Sequence, residues 1–169
     1  MTPRVSIIMG STSDLPIMKE AADILNDLKI PFEINALSAH RTPEQVEKFS
    51  KGAYEKGIRV IIAGAGMAAH LAGVVASMTA LPVIAVPIKN SLDGLDALLA
   101  MVQMPPGIPV ATVAINGARN AGILAAQILA VDDKDLYQQL LAFKEELKTK
   151  IVKANEELNL VKYDYRVMQ

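Results

Sequence analysis

A chain of 169 residues is long enough to bury one proper core and short for two. Its 51% hydrophobic content, with 4% aromatics and no tryptophan, suits an α/β protein in which small side chains let helices and strands approach closely. A net charge of −1 without blocks of like charge leaves no nucleic-acid or anionic-membrane footprint, and the lack of cysteine removes disulfides, thiolate catalysis and Cys-ligated metals.

Met1-Thr-Pro-Arg-Val runs straight into an apolar stretch without the architecture of a signal peptide, so a cytoplasmic localisation is expected. Val5 to Met9 reads as a strand closed by Gly10-Ser-Thr-Ser-Asp14. Ile17, Ala21, Ile24, Leu25 and Leu28 then recur at helical spacing, with Ser13 or Asp14 as the cap. Phe32 to Leu37 reads as the second strand. Thr42 is the expected N-cap of the next helix, with Pro43 at its first position and Gln45 completing a capping box. That helix is expected to run to about Lys56, with Val46, Phe49 and Ala53 inward and Gly57 as the stop.

The turn between this strand and helix presents Ser38, His40 and Arg41 at a helix N-terminus, where free backbone N–H groups favour anions. A hydroxyl, an imidazole (a group that as a class titrates near neutrality) and a guanidinium can together bind a phosphate and move a proton. A capped, solvated loop is the plainer alternative for the same residues.

Val60 to Ala63 reads as the third strand, followed by Gly64-Ala-Gly-Met-Ala-Ala-His70 and a small-residue helix through Met78. His70 is the second of only two histidines. Leu81 to Val86 is the fourth strand, Pro87 to Asp93 a loop, and Leu95 to Met104 the fourth helix. After an irregular connection, Val110 to Ile115 is the fifth strand and Ala118 to Leu129 the fifth helix. Val60 to Ile88 carries no Asp, Glu, Lys or Arg and is long enough to span a bilayer. Its glycines and prolines (Gly64, Gly66, Gly73, Pro82, Pro87) instead break it into strand, turn, helix and strand, so a buried interior is expected and no membrane partner.

Strands without in–out alternation, each followed by a helix, predict a three-layer αβα sandwich: a flavodoxin- or Rossmann-like doubly wound parallel sheet of about five strands. Ligands of such sheets bind beyond the carboxyl ends of the strands, where the strand order reverses. The Ser11–Asp14, Ser38–Arg41 and Gly64–His70 turns all fall on that rim. Leu136, Leu140, Phe143, Leu147, Ile151, Ala154 and Leu158 then form a stripe at spacings of three and four, predicting a long C-terminal helix over 132–158. It is longer than one small sheet can cover, so packing against another subunit is expected. Residues 159–169 form a polar tail, and 1–169 read as a single catalytic domain on a 1–131 core.

Several chemistries are disfavoured by what is missing. Gly64-Ala-Gly is not a dinucleotide fingerprint, because Ala69 stands where a third glycine belongs and no acidic residue closes the next strand. No Walker lysine is present. A receiver-like binding module lacks an aspartate ending the third strand, and a flavin site lacks the aromatics to sandwich its ring. A metal site from both histidines and Asp14 lacks any helical i, i+4 pair.

Gly10-Ser-x-Ser-Asp14, Ser38-Ala-His-Arg-Thr-Pro43, Gly64-Ala-Gly-x-Ala-Ala-His-Leu71 and Val102-Gln-Met-Pro105-x-Gly-Ile-Pro109, in this order, closely resemble the N5-carboxyaminoimidazole ribonucleotide mutases of purine biosynthesis. The resemblance covers about Arg4 to Ala130. It implies a small-molecule substrate, an imidazole ribonucleotide, whose carboxylate moves from the exocyclic nitrogen to ring carbon C4 without metal, biotin or ATP, hence no cofactor. It implies His40 as general acid and base, with Ser11, Ser13, Asp14, Ser38 and Arg41 holding ribose and phosphate. Ala65, Gly66, Ala69, His70 and Leu71 would shape the pocket for the imidazole and released CO2, an apolar molecule best held in a dry, small-residue lining. His70 as a packed histidine orienting the loop is weighed equally with substrate contact.

The resemblance further implies a homo-octamer. Met67 and Ala72 depart from it, standing where a glycine and a proline are expected, and the Lys89–Gly94 loop is about one residue short. The sister aminoimidazole ribonucleotide carboxylases, which use free CO2, typically carry Lys after the catalytic histidine; Arg41 and Ala68-Ala-His70 favour the mutase. A non-catalytic nucleotide-binding αβα module is the alternative from another class.

Overall fold

The computed structural model describes residues 1–167. Five parallel strands, β1 (Val5–Met9), β2 (Phe32–Ala36), β3 (Val60–Gly66), β4 (Val83–Ile88) and β5 (Ala111–Thr112), lie in the order β2-β1-β3-β4-β5. Helices α1 (Leu15–Asp27), α2 (Pro43–Gly52), α3 (Leu71–Ala76), α4 (Leu95–Val102) and α5 (Ala118–Ala130) connect and cover them, and α6 (Lys134–Asn159) follows. This is the expected flavodoxin-like, doubly wound sheet with a long C-terminal helix. The chain winds from β1 outward to β2, then returns to place β3 on the other side of β1. The order therefore reverses between β1 and β3.

Alternate strand residues face opposite layers, which is why the strands read as continuous apolar runs. On one side Val5, Ile7, Val60, Ile62 and Ile84 pack with α1, α5 and the first turns of α6. On the other, Ile8, Ile61, Ala63 and Ala85 pack with Val46 of α2, Val75 of α3 and Met101 of α4. Helices α1 and α5 touch closely at Gly122: a Cβ there would stand 2.4 Å from Ile24 Cγ2 and 3.0 Å from the Ala21 carbonyl oxygen. The apolar stretch from Val60 to Ile88 does break into β3, α3 and β4, and among the described residues no helix is long and apolar enough to cross a membrane.

Several boundaries differ from those expected. β4 runs through Pro87 to Ile88 instead of ending at Val86, and β5 is two residues instead of six. β4 extends because it stays paired with β3, Ala65 opposite Pro87 and Gly66 opposite Ile88, whereas the end of β5 follows from one proline. The Ala85 and Pro87 carbonyls accept from Val113 and Asn116 N–H at 3.0 and 2.8 Å, so this edge of β4 faces β5. Pro87 has no N–H to return, and the ladder stops. β3 continues three residues beyond Ala63, to Gly66. α2 ends at Gly52 and the backbone reaches Gly57 (φ +99°) through turns, while α4 ends at Val102, before Pro105.

The capping box at Thr42 does not form. Thr42 Oγ1 accepts from Ser38 N–H at 3.0 Å and donates to Ser38 O at 3.1 Å, so it closes the preceding loop and leaves the α2 N–H groups uncapped by that side chain. α1 follows Asp14, whose side chain makes no cap hydrogen bond; Ser11 instead accepts from Ser13 N–H at 3.3 Å, organising a short 3-10 turn over Thr12–Asp14. α6 is capped by Asp133, which accepts from Leu136 N–H at 3.0 Å and pairs with Arg4 at 2.8 Å. That Arg4 hydrogen bond, then the Leu136 N–H, hold the Asp133 carboxyl below its ordinary range.

Candidate active site

The carboxyl ends of β1, β2 and β3 surround a cleft of about 420 Å³ at the point where the strand order reverses. Its size suits a small ligand. The backbone ties the rim together: Leu37 N–H donates to Met9 O at 2.9 Å and Gly10 N–H to Gly64 O at 3.3 Å.

Arg41 links the first two turns. Its Nη2 donates to Gly10 O at 2.7 Å, and its Nε and backbone N–H both donate to Ser38 Oγ at 3.2 Å. Among the described residues Nη1 has no hydrogen-bond partner, so the guanidinium is oriented and one corner is left for a ligand. Asp14 is 5% exposed and sits on the same cleft. Burial pushes its carboxyl above the ordinary carboxylate range, against the opposing pull of Ser11, the Ser13 hydroxyl and the Arg41 charge.

The two histidines, thirty residues apart in the chain, meet. His40 Nε2 lies 2.9 Å from His70 Nδ1, with the rings edge to face at 80° and centroids 5.0 Å apart. Behind them the wall is small: Ala65, Gly66, Ala68 and, on the sheet side, the end of β3. Gly66 is required by its neighbour, since a Cβ would stand 2.3 Å from Asn90 Nδ2 and 3.0 Å from Ile88 O. Among the described residues no group of three or more His, Cys, Asp or Glu converges as metal ligands do.

The cleft brings together Ser11, Ser13, Asp14, Ser38, His40, Arg41, Ala65, Gly66, His70 and Leu71. Ala69 is apart from them: it is 1% exposed and packs with the apolar layer beneath α3. Met67 and Ala68 of the glycine-rich turn also line the cleft, as do Gly10, Ala39 and Asn90, for which the sequence suggests no role of their own. Asn90 was detectable in outline, because it follows the fourth strand on the same rim. Met67 adopts φ +57°, the left-handed region where a glycine is at ease, and its side chain is exposed.

The family described as AIR carboxylase matches residues 4–150. The chain belongs to the AIR carboxylase family. It is 55% identical over 162 residues to the N5-carboxyaminoimidazole ribonucleotide mutase of Thermotoga maritima, covering 95% of each chain. It is 56% identical over 147 residues to the Pyrococcus abyssi protein of the same name, covering 86% of this chain and 84% of that one. The Schizosaccharomyces pombe phosphoribosylaminoimidazole carboxylase is 52% identical over 95% of this chain, which spans 29% of that longer protein. The crystal structure of Treponema denticola PurE superposes with a TM-score of 0.82 at 32% identity, covering 92% of this chain and 98% of that one. The AIR carboxylase family match thus includes all three turns that form the cleft.

Proposed function

We propose that this chain is an N5-carboxyaminoimidazole ribonucleotide mutase: it binds the imidazole ribonucleotide and moves its carboxylate from the exocyclic nitrogen to ring carbon C4. The observation that carries the reading is the position of His40, between the anchored Arg41–Ser38 pair and a wall of alanine and glycine. An anion site, a proton carrier and a dry lining are what this chemistry needs in one place. The near-equal length and 55% identity shared with the mutase of Thermotoga maritima support it at the level of the whole chain.

In this reading Arg41 Nη1, the Ser38 hydroxyl and the Ser11–Ser13 turn at the N-terminus of α1 hold the phosphate, and Asp14 accepts from the ribose hydroxyls. His40 gives a proton to the exocyclic nitrogen as its bond to the carboxylate breaks, leaving CO2 and the free amine. The freed ring attacks CO2 through C4, forming the new carbon–carbon bond, and His40 removes the C4 proton to restore the aromatic ring. Ala65, Gly66, Ala68 and Leu71 keep CO2 against the ring and water away from it. Ala69 acts from behind, by packing the loop that carries His70.

Conversion of N5-carboxyaminoimidazole ribonucleotide tests this directly, beside a second tube of aminoimidazole ribonucleotide with bicarbonate. Fast product in the first tube and slow product in the second is the expected result. The 52% identity to the Schizosaccharomyces pombe carboxylase favours one second reading, a carboxylase using free CO2, and efficient use of the second tube alone would establish it. Well-folded protein silent in both tubes would leave a nucleotide-binding module.

The same reading makes the protein a cytoplasmic homo-octamer in which α6 meets neighbouring subunits. Its support is the exposure of Leu147, Ile151 and Leu158, at 45, 66 and 55%, on a helix whose first turns alone are buried. The tail at 159–169 would extend that contact; Met168 and Gln169 lie outside the described residues.

A further inference from the structure

We propose that His40 and His70 share one bridging proton and work as a two-ended proton carrier, with His70 passing protons between solvent and His40. The inference deepens the mutase reading and rests on it. A separation of 2.9 Å between His40 Nε2 and His70 Nδ1 is hydrogen-bonding distance, and such a bond needs a proton on one of those two nitrogens and a lone pair on the other. Two neutral imidazoles satisfy this in two ways. In the first arrangement the bridging proton sits on His70 Nδ1, His40 carries its proton on Nδ1, and His70 Nε2 is bare. In the second the bridging proton sits on His40 Nε2, His40 Nδ1 is bare, and His70 Nε2 carries a proton.

Each arrangement suits one half of the reaction. Starting from the first, His40 Nδ1 gives its proton to the exocyclic nitrogen while the bridging proton moves from His70 Nδ1 to His40 Nε2. In the same step a solvent proton lands on His70 Nε2. Both rings end neutral, in the second arrangement, with a bare His40 Nδ1 ready to take the C4 proton. When it does, the bridging proton returns to His70 Nδ1 and His70 Nε2 releases its proton to water. Three protons move in each half, and the pair is restored without either ring becoming an imidazolium or an imidazolate. A single histidine would have to enter the reaction already charged. His70 is exposed at the cleft mouth, so water reaches it. Arg41 and Asp14 are the other ionisable groups lining the cleft among the described residues, and neither is hydrogen-bonded to the pair.

His70 is thereby a positioning residue for the His40 proton, and the pairing gives a reason for the two histidines to stand on the turns after β2 and β3, the strands that flank β1. The test pairs a spectrum with kinetics. In wild-type protein labelled with 15N-histidine, a coupling across the hydrogen bond between His40 Nε2 and His70 Nδ1 is expected. His70→Gln keeps a hydrogen-bonding partner, but its amide cannot take up a proton at one atom while releasing one from another. With N5-carboxyaminoimidazole ribonucleotide as probe, its single-turnover rate should fall by roughly 100-fold, the order a positioned proton donor contributes, with KM changed less than about twofold. Absence of the coupling in wild type, or a His70→Gln rate within about twofold of wild type, would overturn the carrier. Wild-type protein that shows the coupling yet never converts the substrate would instead sink the mutase reading, so the two failures are distinct.

Discussion

Asp14 shows how a single side chain can be placed against its own preference. It is almost wholly buried, and burial holds its carboxyl above the ordinary range despite Ser11, Ser13 and Arg41. The folded protein therefore binds the Asp14 proton more tightly than the unfolded chain does. Wild-type stability falls as pH rises from the ordinary carboxylate range through the raised value, and the deficit persists above it. Asp14→Asn removes that deficit, so the variant should melt a few degrees above wild type at neutral pH. The difference should shrink to nothing as pH drops below the ordinary carboxylate range. Thermal melts across that window check the sign, and ligand affinity should fall at the same time because the ribose loses a charged acceptor and one of its two oxygens.

At this scale the sequence was most informative where chemistry depends on residue type and least where it depends on direction. Two histidines on two strand-ending turns were visible as candidates. That they touch was not, since it depends on β2 and β3 flanking β1 at the same height. Ala69 belonged to the same motif as His70, but neighbouring residues in a turn point apart, and Ala69 points into the core. Asn90 is legible only as a residue of the rim after β4: nothing local in the sequence ties it to Gly66 at the end of β3.

Among the elements, helix–helix contacts set the tightest limits. α1 and α5 meet at Gly122, where any side chain would press on Ile24 and on the α1 backbone at Ala21. Gly122→Val should destabilise the fold by about 1–3 kcal/mol, the usual range for overpacking a filled core. Chemical denaturation checks this, and an unchanged midpoint would mean that the two helices can part without loss. The alternation of strands and helices was legible because both faces of the sheet are covered and each strand is therefore an unbroken apolar run. The ends of β4, β5 and α2 were not. Pro87 reads locally as a loop opener, yet it completes a strand because its missing N–H faces a ladder that ends there. Thr42 matches a capping box by spacing, yet its hydroxyl bonds to Ser38 and serves the loop that carries His40.

For the whole molecule, the sheet explains the place of the cleft and α6 the proposed assembly. Reversal of strand order between β1 and β3 opens a crevice at the carboxyl edge, and three of the four segments that resemble the family's motifs line it, the connection from Val102 to Pro109 lying elsewhere. α6 buries Leu136 and Leu140 against its own subunit and leaves Leu147 and Ile151 to solvent. If those later turns join subunits, Leu147→Lys with Ile151→Lys should reduce the assembly to smaller species by light scattering while the far-ultraviolet spectrum of the fold stays the same. An unchanged mass would remove α6 from the interface.

In the proposed reaction His40 performs the proton transfers of a carboxylate migration in this cleft. The most direct measurement compares wild type and His40→Asn for the rate at which N5-carboxyaminoimidazole ribonucleotide becomes the C4-carboxylated product, with binding of the substrate followed by calorimetry. Asparagine keeps the size and polarity of the site but exchanges no proton with the substrate. The His40→Asn rate should be at least about 1,000-fold lower, in the range expected for losing a general acid and base, with affinity within a few-fold of wild type. A variant that turns over at the wild-type rate would contradict it.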